Sequence, residues 1–251
     1  MNDVTMRFYG ELNDFLQPGQ KQRAFRHYFY GRPSVKDLIE SLGVPHTEVD
    51  LLLINGESSS FGQHVQGGEW VTVYPVFKSL DISALSRVRP EPISHFCFIL
   101  DVHLGQLALY LRMFGFDSLY RNEASDDYLA DTSSAEKRIL LTFDRGLLKR
   151  KKVTYGYCVR SRKPSLQLLE VLQRFDLFER ISPFKRCLRC NGVLRPVPKE
   201  SVLAVLPEKV RHCLHEFQQC PQCGQVYWKG SHYDHMQRFI QKILAKSTCG
   251  S

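Results

Sequence analysis

Two aspartates in this sequence each stand directly after an apolar run of strand length. Phe96-Cys97-Phe98-Ile99-Leu100 ends on Asp101, and Arg138-Ile139-Leu140-Leu141-Thr142-Phe143 ends on Asp144. A near-continuous apolar run is how a strand buried on both faces reads. In open α/β sheets, functional groups gather beyond the carboxyl ends of the strands. Two such strands would set both carboxylates at one rim, where hard oxygen ligands can hold a divalent cation. A further acidic pair, Asp126-Asp127, follows Ser125; taken alone, these residues suit a helix start, Ser125 as N-cap and two negative charges where the helix dipole favours them. After Asp144 come eight basic residues before Leu169, with no acidic residue among them: Arg145, Lys149, Arg150, Lys151, Lys152, Arg160, Arg162 and Lys163. Cations beside an acidic rim suit a phosphodiester chain, which Lys and Arg attract while the metal takes the scissile phosphate.

Cysteine supplies a second kind of chemistry. Cys187-Leu188-Arg189-Cys190-Asn191-Gly192 and Cys220-Pro221-Gln222-Cys223-Gly224 are two C-x-x-C turns, each followed by a glycine that tolerates tight backbone. With the strand-like tail Val226-Tyr227-Trp228 they predict a zinc ribbon. Its shell of four thiolates leaves no open position, so this zinc is expected to be structural. The 29 residues between the knuckles exceed what a ribbon needs and are expected to form an extra loop or short helix. The other four cysteines, Cys97, Cys158, Cys213 and Cys249, are scattered, which suits reduced thiols. Lys229-Gly230-Ser231-His232 then leads into a helix with Met236, Phe239, Ile240, Ile243 and Leu244 on one face; His232 suits a phosphate contact or a solvated surface equally.

The elements that must carry these residues alternate. Leu104, Leu107, Ala108, Leu111 and Phe114 fall at helical spacing and Gly115 closes that helix. Phe116–Tyr120 is a short strand, Ser125 opens the next helix, Gly156–Val159 is another strand, and Ser165 with Leu166, Leu169, Val171 and Leu172 gives a last helix. The order β-α-β-α-β-α-β-α predicts a parallel sheet with helices on both faces. Upstream, Val4–Tyr9 and Arg23–Phe29 are strand-like. Ser34 is placed to cap a helix bearing Val35, Leu38, Ile39 and Leu42, and Leu51–Ile54 and Trp70–Pro75 follow, separated by Asn55-Gly56 and Gly67-Gly68. This ββαββ order predicts a small α+β domain of the β-grasp type. The expected organisation is residues 1–80 as that domain, 81–94 as a Pro- and Ser-bearing linker, 95–182 as the α/β core, and 183–251 as zinc ribbon and C-terminal helix.

The net charge of +8 is uneven: residues 1–80 hold 7 Lys+Arg against 9 Asp+Glu, and residues 81–251 hold 27 against 17. Such asymmetry directs the later part toward a polyanion. No run of about 18 apolar residues and no charged-then-hydrophobic start is present, so no membrane association and a cytoplasmic location are expected.

Ile54-Asn55-Gly56 followed by Gly68-Glu69-Trp70-Val71-Thr72-Val73-Tyr74-Pro75 resembles the ubiquitin-like sulfur carriers of thiamin and molybdopterin synthesis. Those carriers end in an exposed Gly-Gly tail; here the chain continues through Val76-Phe77-Lys78, so recognition of a protein partner or scaffolding is the expected role. A wider resemblance runs along the whole chain. Asp101-x-x-Leu104-Gly105-x-Leu107-Ala108-x-x-Leu111-Arg112-x-x-Gly115, then Leu141-Thr142-x-Asp144-Arg145-x-Leu147-Leu148, then the two knuckles and Tyr227-Trp228-Lys229-Gly230-Ser231-His232, resemble the Mut-seven C-terminal RNase family. That family joins a PIN-like nuclease domain to a zinc ribbon and occurs with an N-terminal ubiquitin-like domain. The resemblance implies a ribonuclease, a hydrolase of RNA phosphodiester bonds, whose Asp101, Asp144 and one or both of Asp126 and Asp127 hold magnesium or manganese. Arg112 and Arg145 would contact phosphate or pair with the carboxylates; Lys149, Lys229 and His232 would join them in binding RNA. Two alternatives stay open: a non-catalytic zinc-ribbon RNA-binding module, and a toxin-like nuclease restrained by its N-terminal domain.

Overall fold

A computed structural model of the chain describes residues 1–77 and 80–247; Lys78, Ser79 and residues 248–251, Cys249 among them, lie outside the described residues. The N-terminal part comprises β1 (Asn2–Phe8), β2 (Phe25–Phe29), α1 (Val35–Ser41), β3 (Leu51–Ile54), β4 (Glu57–Ser58) and β5 (Trp70–Tyr74). Its sheet has the order β2-β1-β5-β3-β4, with β1 parallel to β5 and the other neighbours antiparallel. Along β1, Val4, Met6 and Phe8 turn inward, Met6 and Phe8 beside Val71 and Val73 of β5; these residues, with Ile39 and Leu52, are essentially without solvent exposure. Ser34 and Asp37 form a reciprocal capping box that starts α1, the hydroxyl accepting from the Asp37 N–H and the carboxylate from the Ser34 N–H. Asn55 and Gly56, with φ of 52° and 87°, make the tight turn from β3 into the two-residue β4, a strand too short to announce itself in the sequence.

Residues 81–94 hold no helix or strand, and the segment is strapped to the β-grasp domain. Ile82 and Val88 are buried, the Ser86 hydroxyl donates to the Asp50 carbonyl at 2.6 Å, and the Arg89 guanidinium grips the buried Asp50 carboxylate at 2.7 and 2.5 Å. A bidentate pair of this kind is among the stronger charge-assisted contacts.

The middle of the chain runs β6 (Cys97–Leu100), α2 (Gly105–Met113), β7 (Asp117–Tyr120), α3 (Asp126–Ala135), β8 (Ile139–Thr142), α4 (Arg145–Leu148), β9 (Gly156–Cys158) and α5 (Pro164–Arg174). β6 pairs in parallel with β7, and β8 in parallel with β9, so the α/β alternation with parallel strands and intervening helices holds. Phe98, fully buried on β6, packs edge-on to Phe116 and Phe175 at 6.1 and 6.0 Å, a burial of about 2–3 kcal/mol. In α5 the inward face is Leu168, Val171 and Leu172, while Leu166, which the apolar spacing places on that face, is 40% exposed.

The C-terminal part contains β10 (Arg195–Val197), α6 (Glu208–Cys213), β11 (Phe217–Gln219), β12 (Val226–Trp228) and α7 (Ser231–Ser247). β10, β11 and β12 form an antiparallel three-stranded sheet in that order. The long insert between the knuckles folds as β10, short turns, α6 and β11, and closes a small core of Val202, Leu206, Phe217 and Val226. Two compact units result: residues 1–95 with 125–158, and residues 96–124 with 159–251. Among the described residues no helix is long and apolar enough to cross a membrane.

Candidate functional site

Asp101 and Asp144 are built the same way. Each lies just beyond the carboxyl end of a parallel strand, and each carboxylate accepts a hydrogen bond from the backbone N–H two residues on: His103 for Asp101 at 3.2 Å, Gly146 for Asp144 at 2.6 Å. The carboxylate thereby caps the turn that leaves the strand, which fixes its direction. The environments differ. Asp101 is buried and its Oδ1 also meets His103 Nδ1 at 3.1 Å, whereas Asp144 is exposed and held from the other side by its own N–H donating to Thr142 Oγ1 at 2.9 Å. A side chain at Gly146 would put its Cβ 3.1 Å from Asp144 Oδ1, so glycine keeps that turn open. His103 escaped the sequence reading; the Asp-x-His spacing is its only trace.

Asp101 belongs to the second compact unit, and Asp126, Asp127 and Asp144 belong to the first. Asp126 and Asp127 occupy the first turn of α3 behind the Ser125 cap, whose hydroxyl accepts from Tyr128 N–H. One guanidinium, that of Arg150, reaches both of them, pairing with Asp127 and lying 3.4 Å from Asp126. Lys152 pairs with Asp131 on the same helix at 2.5 Å. The basic run after Asp144 is thus partly met by α3, and partly by the β-grasp domain: Arg145 Nη1 donates to the Phe15 carbonyl at 3.2 Å with its guanidinium over the Phe15 ring, and Lys149 Nζ donates to the Glu40 carbonyl at 2.6 Å.

Arg112 is buried inside the second unit. Its Nε donates to the Ser118 carbonyl at 2.9 Å, and its Nη1 donates to the carbonyls of Leu188 and Arg189 at 3.0 and 3.2 Å. Burial pushes its pKa below the usual arginine value, while the thiols of Cys190 and Cys187 push the other way. Lys229 is exposed and paired with Glu216 at 2.5 Å, a bond that raises its pKa; His232 is exposed in the first turn of α7.

The four cysteines converge. Their Sγ atoms all lie within 4.8 Å of one another, with Cys187 and Cys223 at 3.5 Å and Cys190 and Cys220 at 3.4 Å. A tetrahedron of thiolates about 2.3 Å from zinc has edges of about 3.8 Å, so the spacing fits that ion. The two knuckles share one backbone plan. In each, the first cysteine's N–H donates to the carbonyl five residues on (Gly192, Gln225), and its own carbonyl accepts from the residue four on (Asn191, Gly224). That fourth residue is left-handed in both, with φ of 73° at Asn191 and 72° at Gly224. Glycine fills the left-handed position only in the second knuckle. In the first, Asn191 takes it and uses its side chain, accepting from Ser118 N–H at 2.9 Å and donating to Asp117 at 2.8 Å. Gly192 is needed for space: a Cβ there would lie 2.8 Å from Cys220 Sγ.

The crowding pulls the thiols' acidities apart. Cys190 is raised to about 12, by burial first. Cys187 is lowered to about 7: burial opposes this, and the Tyr227 hydroxyl at 3.2 Å with nearby backbone donors outweighs it. Four crowded sulfurs cannot all ionise alone, and a dication at their centre removes the conflict. Among the described residues these cysteines are the one group of three or more His, Cys, Asp or Glu side chains with ligand atoms so close.

Residues 97–240 match the Mut7-C RNAse domain and residues 1–81 match the Mut7-C ubiquitin domain. No curated protein and no solved structure matches the chain. The two matched segments lie in the order that the β-grasp sheet, the parallel strands and the cysteine cluster follow, and the longer of them, residues 97–240, spans more than half of the chain: the chain belongs to the Mut7-C RNase domain family, with a Mut7-C ubiquitin domain in front.

Proposed function

We propose that this protein is a metal-dependent ribonuclease whose catalytic carboxylates are Asp101, Asp144 and one or both of Asp126 and Asp127. The observation that carries this is the match of residues 97–240 to an RNase domain, with two strand-end aspartates of identical local design inside it. The donor set is right for a hard cation: carboxylate oxygens, two of them aimed by backbone bonds, suit magnesium or manganese. Such a cation, when bound, supplies Lewis acidity toward the scissile phosphate. The chain's own cationic side chains, Arg145 and Lys149 beside Asp144, draw the phosphodiester in by charge. Zinc in the closed cysteine shell holds the ribbon's shape and takes no part in the chemistry.

The test is hydrolysis of labelled single-stranded RNA with added magnesium by wild type, Asp101→Asn and Asp144→Asn. Asparagine keeps the capping acceptor, so both variants stay folded, and cleavage is expected to fall by at least about a hundredfold. Equal cleavage by all three would remove these residues from the chemistry. Binding without cleavage by the wild type would leave an RNA-binding module.

A second reading is favoured by the engagement of Arg145 and Lys149 with the β-grasp domain. In it, the N-terminal domain restrains the nuclease by occupying cations that RNA needs.

A further inference from the structure

Beside the zinc knuckles the second unit carries a cleft of about 680 Å³, inside the size range of small-ligand sites. Its walls are aromatic and aliphatic and its rim carries more cations than anions: Phe184, Trp228 and Tyr233 line it together with Lys185, Lys229 and the acidic Glu216. Phe184 is unusual. A bulky side chain seldom adopts positive φ, and here φ is 60°, the residue being held by its N–H donating to the Met113 carbonyl at 3.1 Å. Backbone strain of this kind marks sites where a side chain's direction matters. Tyr233, on α7, covers the same ring at 4.5 Å between centroids with a tilt of 35°, making a two-ring wall. The Trp228 indole N–H and the Tyr233 hydroxyl have no hydrogen-bond partner among the described residues, and both side chains are only half buried. Lys185 is exposed and forms no ion pair among the described residues, whereas Lys229 is paired with Glu216.

We propose that this cleft takes an unpaired base of single-stranded RNA, stacked on the aromatic wall, with an adjoining phosphate at Lys185. The inference rests on RNA being the substrate and names its class. Aromatic platforms beside cations bind single strands because every base presents a π-face, while a duplex hides its bases in the stack. The idle N–H and O–H are polar handles for a base edge, which a purely aliphatic groove would lack. The basic rim matches a polyanion.

The experiment uses full-length, zinc-loaded protein carrying Trp70→Phe and Asp144→Asn, so that all indole emission comes from Trp228 and cleavage does not intrude. Trp70 is 47% exposed, which makes its replacement mild. A short fluorescein-labelled oligouridine is titrated by anisotropy while tryptophan emission is read, and a blunt RNA duplex is the comparison. The single strand is expected to quench Trp228 saturably and the duplex to leave it unchanged. Tyr233→Leu, and Phe184→Asn, which suits the left-handed backbone, should each weaken binding about tenfold, the loss of one stacked base. Lys185→Glu, on the surface and harmless to folding, should weaken binding and lower the salt slope by about one. Binding without quenching, or with equal affinity in the Lys185 variant and in folded Tyr233 and Phe184 variants, overturns the proposal and leaves the cleft to an aromatic-anchored peptide. Failure of the nuclease assignment is separate: it shows as absent cleavage by protein with Asp144 intact while the cleft variants still lose binding.

Discussion

Arg112 gives the sharpest test of how the second unit is held together. Its buried guanidinium ties β7 to the first cysteine knuckle through three donated bonds of 2.9, 3.0 and 3.2 Å. Arg112→Met keeps most of the stem's volume, removes the three donors and leaves the Ser118, Leu188 and Arg189 carbonyls short of a partner. A hydrogen bond from a charged donor contributes about 1.5–3 kcal/mol net, and three from one side chain are not additive, so a loss of about 3 kcal/mol is expected. For a chain of this size that lowers the melting temperature by about 6–12 °C. Zinc should leave faster too, since the knuckle carbonyls lose their anchor and the thiolates lose a neighbouring cation. Arg112→Lys retains the charge without the fork that serves two sides at once, and should recover little. Calorimetric melting beside a chromophoric chelator assay for zinc release reads both effects. If both variants melt within about 2 °C of wild type, keep their zinc and show only a raised KM for RNA, Arg112 is a phosphate contact and its anchoring role is refuted.

Metal analysis of the purified protein should find one zinc per chain, reduced by Cys187→Ser or Cys220→Ser. Gly192→Ala should weaken zinc retention more than Gly224→Ala: the first Cβ meets Cys220 Sγ at 2.8 Å, while the second meets nothing within 4 Å and carries only the strain of φ 72°. Burial lowers the His27 pKa below its ordinary 6.5, so the folded state resists protonation. Its effect on stability is nil above about pH 6.5 and becomes a loss as pH falls from there toward the folded value, because the unfolded chain binds the proton first; His27→Gln should flatten the melting temperature across that window.

The parts of the structure that were readable in the sequence are those fixed by local chemistry. Ser34 and Ser125 announce helices because a hydroxyl facing free N–H groups works the same in any context. The C-x-x-C pairs announce the thiol cluster because spacing alone brings two sulfurs to one point. Asn191 shows where such local rules stop. The glycine next to it looks like the residue a tight turn demands, but the turn takes its left-handed residue from Asn191, whose side chain is also needed by β7, and Gly192 serves a clearance that depends on Cys220 across the site. Leu166 fails for a related reason: helical spacing admits it to the apolar face of α5, yet the face actually covered runs through Leu168, Val171 and Leu172 with Gln167 at its edge. Arg112 and the basic run present the same ambiguity on a larger scale. A cation's type states what it can bind, and only the fold states which acceptor is in reach.

The basic segment after Asp144 carries a last consequence. Beyond the contacts of Arg145 and Lys149, His46 of the β-grasp domain bridges Glu40 at 2.7 Å and the Val153 carbonyl at 2.9 Å, and the buried Glu48 accepts from Cys158 N–H at 2.6 Å. If RNA needs Arg145 and Lys149, the N-terminal domain competes with it for them. His46→Ala deletes one bond across this contact, about 1–1.5 kcal/mol, which multiplies a small population of released segment by roughly five to ten. Initial rates of RNA cleavage under subsaturating substrate should rise by that factor, and hydrogen exchange over residues 145–156 should quicken with them. Faster exchange with an unchanged or lower rate would mean that release does not activate, and the domain would then be a scaffold that holds the segment in its working shape.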